Sequence, residues 1–224
     1  MTKLLPRRAL PSLLAPLLLA PLLLGPRMAL AAGIALTAQD RADLGRIEVY
    51  LNGLRTLKAR FLQIAPDGRT SQGNAWIDRP GRLRFEYDPP SPFLLVAGHG
   101  LVVFHDKKLN QTNNFPLSQT PLGILLADNL KLSGDLTVTA IDRQPGLIQV
   151  TTQRTGSPND GSLTLVFADA PLALRQWAVI DGQRQETRVS LFNVTLGGRF
   201  ESSLFEFVDP KFLGLAPDSG TPNR

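Results

Sequence analysis

Residues 82–87, Arg-Leu-Arg-Phe-Glu-Tyr, alternate charge and grease without a break. Side chains of a strand point to opposite faces with period two. Leu83, Phe85 and Tyr87 therefore share one apolar face, and Arg82, Arg84 and Glu86 share a wet one. A chain that repeats this pattern must build a sheet and then hide one side of it. The pattern does repeat. Leu57, Ala59 and Phe61 alternate with Lys58 and Arg60, and strand signals follow at 73–78, 93–97, 101–104, 136–141, 147–152, 162–167, 172–180, 186–196 and 199–207. Turn residues separate them, among them Pro66-Asp67-Gly68, Gly98-His99-Gly100, Pro145-Gly146, Asn159-Asp160-Gly161 and Gly197-Gly198. Arg79-Pro80-Gly81 breaks or bulges the chain before the Leu83 strand, because proline cannot donate to a ladder. Short strands at regular spacing predict an antiparallel meander.

Two segments depart from it. Between Thr37 and Leu54, apolar residues Leu44, Ile47, Leu51 and Leu54 recur at intervals of three and four, the stripe of an amphipathic helix. Thr37 with Asp40 three residues on reads as its capping box. Between Leu117 and Leu130, Thr120-Pro121 sets an N-cap and a first helical residue before Leu122, Ile124, Leu125, Leu126 and Leu130. A curled sheet must close or be covered on its concave side. The expected fold is thus mainly β, an incompletely closed antiparallel barrel with short helices across its mouth.

The beginning of the chain reads differently. Lys3, Arg7 and Arg8 precede an apolar run from Ala9 to Leu24 and then the small residues Ala29-Leu30-Ala31. Charge, grease and small residues in that order make residues 1–31 an export signal. The leader carries four basic residues, so its removal lowers the formal charge from +5 to +1, which gives no reason to expect nucleic-acid binding. There are no cysteines, hence no residue for a lipid anchor after the leader and no disulfide framework. The expectation is a periplasmic protein with one folded domain over residues 37–213 and a disordered tail at 214–224.

Enzyme chemistry finds little support. His99 lies between two glycines, His105-Asp106 is expected to open a loop, and no carboxylate–histidine cluster accompanies either. No metal, cofactor or catalytic set is expected. Function is to be sought in the apolar face.

Several motifs in order resemble the periplasmic lipoprotein carriers called LolA. After the first helix come Phe61-Leu62-Gln63, Gly73-Asn74-Ala75-Trp76 and Arg79-Pro80-Gly81-Arg82-Leu83-Arg84-Phe85; Leu109-Asn110-Gln111-Thr112 and Thr120-Pro121-Leu122 with Leu125-Leu126 follow. The resemblance runs from about Gln39 to Phe212. It implies an eleven-stranded half-barrel with a helical lid over an apolar cavity, and a monomer that takes triacylated lipoproteins from an inner-membrane ABC exporter to an outer-membrane receptor of similar fold. It implies that Arg79 latches the lid through hydrogen bonds to lid backbone. The acyl-chain cavity would be walled by Phe61, Ile77, Leu83, Phe85 and Tyr87 on strands, Ile47 and Leu51 on the first helix, and Leu122 and Leu125 on the second. Leu83 stands where the best-known members carry an aromatic. Alternatives from the same reading are a carrier of another periplasmic lipid, such as a glycolipid or hopanoid-like molecule, a lipoprotein-sensing regulator module, and a periplasmic hydrolase.

Overall fold

The computed structural model describes residues 33–209; the expected leader and the 214–224 tail lie outside them. Helix α1 (Ala38–Gly53) is followed by β1 (Thr56–Ile64), β2 (Thr70–Asp78), β3 (Arg82–Tyr87), β4 (Phe93–Gly98), β5 (Leu101–Asp106) and β6 (Gln111–Pro116). A short helix α2 (Leu122–Leu125) precedes β7 (Leu136–Gln144), β8 (Leu147–Arg154), β9 (Gly161–Ala168), β10 (Ala173–Asp181) and β11 (Glu186–Leu196). All eleven strands form one open sheet, in the order β6-β5-β4-β3-β2-β1-β11-β10-β9-β8-β7.

The sheet is strongly curled. Phe85 of β3 and Trp177 of β10 have ring centroids 5.9 Å apart. Four strand spacings separate β3 from β10, about 19 Å in a flat sheet. Alternation drives the curl. Leu83, Phe85 and Tyr87 are buried, as are Leu163, Leu165 and Phe167 of β9, and one concave side gathers them all. Full burial of each such side chain contributes about 1.5–3 kcal/mol.

Helix α1 lies in this hollow on the stripe that its spacing predicts: Leu44, Ile47 and Leu51 are buried. Its start is a complete capping box. The Thr37 amide and hydroxyl each donate to Asp40 Oδ2 at 2.7 Å, and the Asp40 amide donates to Thr37 Oγ1 at 3.1 Å. Arg143 of β7 reaches over to Asp40 (2.7 Å) and Asp43 (2.8 Å), fixing the helix N-terminus to the sheet.

The order of strands dictates the second cover. β6 and β7 are consecutive in the chain but occupy opposite edges, so segment 117–135 must cross the opening between them. Here two expectations are corrected. The predicted helix through Leu130 is one turn of 3-10 helix (Leu117–Gln119) and the four-residue α2. Thr120 does not cap it; its hydroxyl donates back to the Leu117 carbonyl at 2.9 Å. At Leu130 and Leu132 the backbone bonds to side chains of α1. Asn52 donates to the Leu130 carbonyl (2.9 Å) and accepts from its amide (2.8 Å), while Glu48 accepts from the Leu132 amide (2.6 Å). With those partners Leu126, Leu130 and Leu132 reach the core without helical geometry.

Residues 199–207 are not a strand either. β11 already pairs with both β1 and β10, which leaves no ladder beside it. The segment instead crosses the convex face of β3 and β4 and turns once at Ser202–Phe205. Arg84 donates to the Leu204 carbonyl at 3.2 Å, and Phe205 is buried. Gly98 permits the approach, since a Cβ there would sit 2.5 Å from the Phe205 oxygen. Finally, His105 and Asp106 complete β5 and do not open a loop. His105 is buried, with Nδ1 3.0 Å from Thr112 Oγ1 and its ring 5.1 Å from that of Phe207.

Candidate functional site: a lidded apolar cavity

Aromatic side chains of β1, β3 and β4 form a continuous ladder inside the sheet, reaching across β2. Phe61 stacks on Phe85 at 4.4 Å, Tyr87 meets Phe61 edge-on at 5.1 Å, and Phe93 continues the row at 5.9 Å from Tyr87. Such pairs add about 0.5–1.5 kcal/mol each beyond area burial. Gly73 makes room for the ladder, as a Cβ there would lie 2.7 Å from the Phe61 ring. The Tyr87 hydroxyl donates to Gln63 Oε1 at 2.7 Å, and burial pushes its phenol pKa well above the ordinary tyrosine range.

In front of this ladder is a half-open cavity of about 380 Å³. Leu83, Phe85, Tyr87, Leu95, Val102, Phe115, Trp177, Val179 and Val189 supply its sheet walls, and Gln119, Thr120, Pro121 and Leu122 its cover. Gln63, Asp160, Asp181 and Thr187 give it polar edges. An apolar hollow with a polar margin suits an apolar ligand bearing a polar end.

Of the nine apolar positions expected to wall a cavity, Leu83, Phe85, Tyr87 and Leu122 line this one. Phe61, Ile77, Ile47, Leu51 and Leu125 lie in the packed core, Phe61 directly behind Phe85. Helix α1 and the floor of segment 117–132 fill the space that those residues would have to face. Trp177 is the largest wall residue that strand alternation did not single out. A register shift between Leu174 and Gln176 breaks the pattern just before it. The Trp177, Val179 pairing at period two was nevertheless legible.

Arg79 sits at the turn between β2 and β3 and is buried. Its Nη2 donates to the Ala127 carbonyl on the cover, and its Nη1 lies 3.5 Å from the Leu54 carbonyl at the end of α1. Nε is buried without a partner. The Arg79 pKa is lowered by burial, then by nearby Arg55, with Asp128 opposing. Next to it the Gly81 amide donates to the Leu126 carbonyl at 2.9 Å, and Arg55 pairs with Asp128 at 2.9 Å. One turn of the sheet thus holds both covering elements. No helix among the described residues is long and apolar enough to cross a membrane.

Comparison with known proteins places this architecture. The family described as "Outer membrane lipoprotein carrier protein LolA" matches residues 52–208. The outer-membrane lipoprotein carrier protein of Pseudomonas paraeruginosa is 30% identical over 192 residues, spanning 81% of this chain and 91% of the relative. That of Azotobacter vinelandii is 26% identical over 192 residues, spanning 82% and 92%. A LolA superfamily protein from Nitrosomonas europaea aligns with a TM-score of 0.41 and 10% identity over 77% of this chain and 99% of its own. Most of the described chain, from the end of α1 to the convex strap, lies within the matched region, and the chain belongs to the LolA family of outer-membrane lipoprotein carriers.

Proposed function

We propose that this protein shelters the acyl chains of lipoproteins in the cavity between β3, β10 and segment 117–132, and carries them across the periplasm. Residues 1–31 would direct export, residues 37–213 form the carrier domain, an inner-membrane ABC exporter would load it, and an outer-membrane receptor of similar fold would unload it. The observation that carries this reading is the juxtaposition of an apolar hollow with a cover held by hydrogen bonds from Arg79.

The energetics fit a shuttle. Each methylene hidden from water is worth about 0.8 kcal/mol, so free acyl chains cannot travel unprotected. A site that met this demand in full would never let go. The cavity is near the small end of the ~300–1,000 Å³ range for ligand sites, so several chains require the cover to move. Moving it breaks the bond from Arg79 to the Ala127 carbonyl, and a hydrogen bond from a charged group is worth about 1.5–3 kcal/mol. That competing interaction lowers apparent affinity and favours release.

Native mass spectrometry of the protein purified from periplasm tests the reading. A one-to-one complex with an acylated lipoprotein is expected. Bare carrier alone, together with turnover of ester substrates, would contradict it.

A further inference from the structure

We propose that the outer edge of β6, the terminal strand of the sheet, binds the cargo polypeptide as an added strand, a proposal that rests on the carrier reading above. The two edges of this open sheet are treated differently. β7 has a bulge between Val138 and Ala140, and the segment before α1 lies against it, the Ile34 amide donating to the Val138 carbonyl at 3.2 Å. Both devices blunt an edge. β6 has neither. Among the described residues no strand pairs with its outer side, it carries no lysine, and its one proline is the terminal Pro116. Beside it Thr112 Oγ1 donates to Asp209 Oδ2 at 3.1 Å, a side-chain bond that leaves the strand's backbone uninvolved.

Hydrogen-bond phase identifies which groups are on offer. The Leu117 amide donates to the Gly100 carbonyl at 2.8 Å, and the register pairs Val102 with Phe115 and Phe104 with Asn113. Bonded and non-bonded pairs alternate in an antiparallel ladder. Phe115 and Asn113 therefore bond to β5, while the amides and carbonyls of Thr112 and Asn114 face outward. Phe115, between Asn114 and Pro116, lines the acyl cavity. This outer edge is thus a continuation of the cavity wall.

A lipoprotein's polypeptide starts at the residue that bears the acyl chains, so it must leave the cavity at its margin. A carrier of many cargoes cannot rely on their side chains. Strand addition reads only backbone, and β6 offers about 20 Å of it.

The test compares two probes, tripalmitoyl-cysteine amide and the same lipid followed by a short peptide. The peptide form should bind the full-length protein about tenfold more tightly. It should also slow hydrogen exchange at the Thr112 and Asn114 amides. Asn114→Pro removes an outward donor without touching the ladder, so it should erase the peptide increment and keep lipid-amide binding. Equal affinity of the two probes overturns the proposal. So does protection of those amides in the empty protein, whether by its own C-terminal residues or by a second copy. If wild-type protein binds neither probe, the carrier reading falls and takes this proposal with it; if it binds the lipid amide alike with and without peptide, only the strand addition falls.

Discussion

The Arg79 guanidinium donates to the Ala127 carbonyl, and no carboxylate among the described residues forms an ion pair with it. A buried cation held by neutral acceptors is costly to keep and cheap to release. Its neighbour Asp128 is engaged at the surface by Arg55. The arrangement closes the cover weakly by construction, which a permanent core contact would not do.

Replacing Arg79 by leucine removes those bonds together with the desolvation cost of the charge. Arg79→Leu should change unfolding free energy by no more than about 1 kcal/mol in urea titration. Cargo loading should persist while transfer to an acceptor membrane or receptor slows severalfold. Wild-type transfer by this variant would remove Arg79 from the mechanism.

Asn52 serves two backbone groups of Leu130 at once. Asn52→Ala leaves both to find other partners and should cost about 1–2 kcal/mol. Hydrogen exchange should quicken at Leu130 and Leu132 while the β8–β9 ladder stays protected. Uniform quickening across the sheet would show that the cover has no independence.

Acid stability should follow the α1 ion cluster. Bonds from the Thr37 side chain and backbone, then from Arg143, bring the Asp40 carboxyl down to about 2. Asp43 is also lowered, because bonds from Gln39, Arg143 and Arg46 outweigh the burial that opposes ionisation. Both groups therefore bind protons less readily folded than unfolded. Their contribution is complete above their ordinary titration range and is lost as pH falls from about 4 to 2. Arg143→Met should lower stability at neutral pH and flatten this acid limb, without abolishing it, since Thr37 still holds Asp40. An unchanged limb in pH-dependent unfolding would contradict the assignment.

Phe61 is fully buried behind the cavity wall, stacked on Phe85. Phe61→Ala should cost about 3–5 kcal/mol and lower the thermal midpoint. It should also widen the hollow, so that an apolar fluorescent probe binds more readily. A cost below about 1 kcal/mol would mean that the aromatic ladder is not what supports the wall.

Strands and their faces were legible because alternation is local: Leu83, Phe85 and Tyr87 carry their orientation in six residues. The α1 stripe and its capping box were legible for the same reason. What escaped depends on distant partners. Residues 126–130 looked helical from their leucines, but Asn52, about 80 positions away, serves the Leu130 backbone, and Glu48 that of Leu132 just beyond. Residues 199–207 had a strand's composition and no free ladder to join. The division of apolar residues between cavity wall and packed core was also hidden, because Phe61 and Phe85 follow the same pattern and differ only in which one stands in front.

Trp177 lines the cavity, whereas Trp76 lies on the convex face beside Lys58. Trp76→Phe leaves Trp177 as the remaining tryptophan. Titrating that variant with a lipopeptide whose acyl chains carry bromine should quench its fluorescence saturably, and an unbrominated lipopeptide should not. Saturable binding by another readout without any quenching would place the chains outside the cavity and contradict the account.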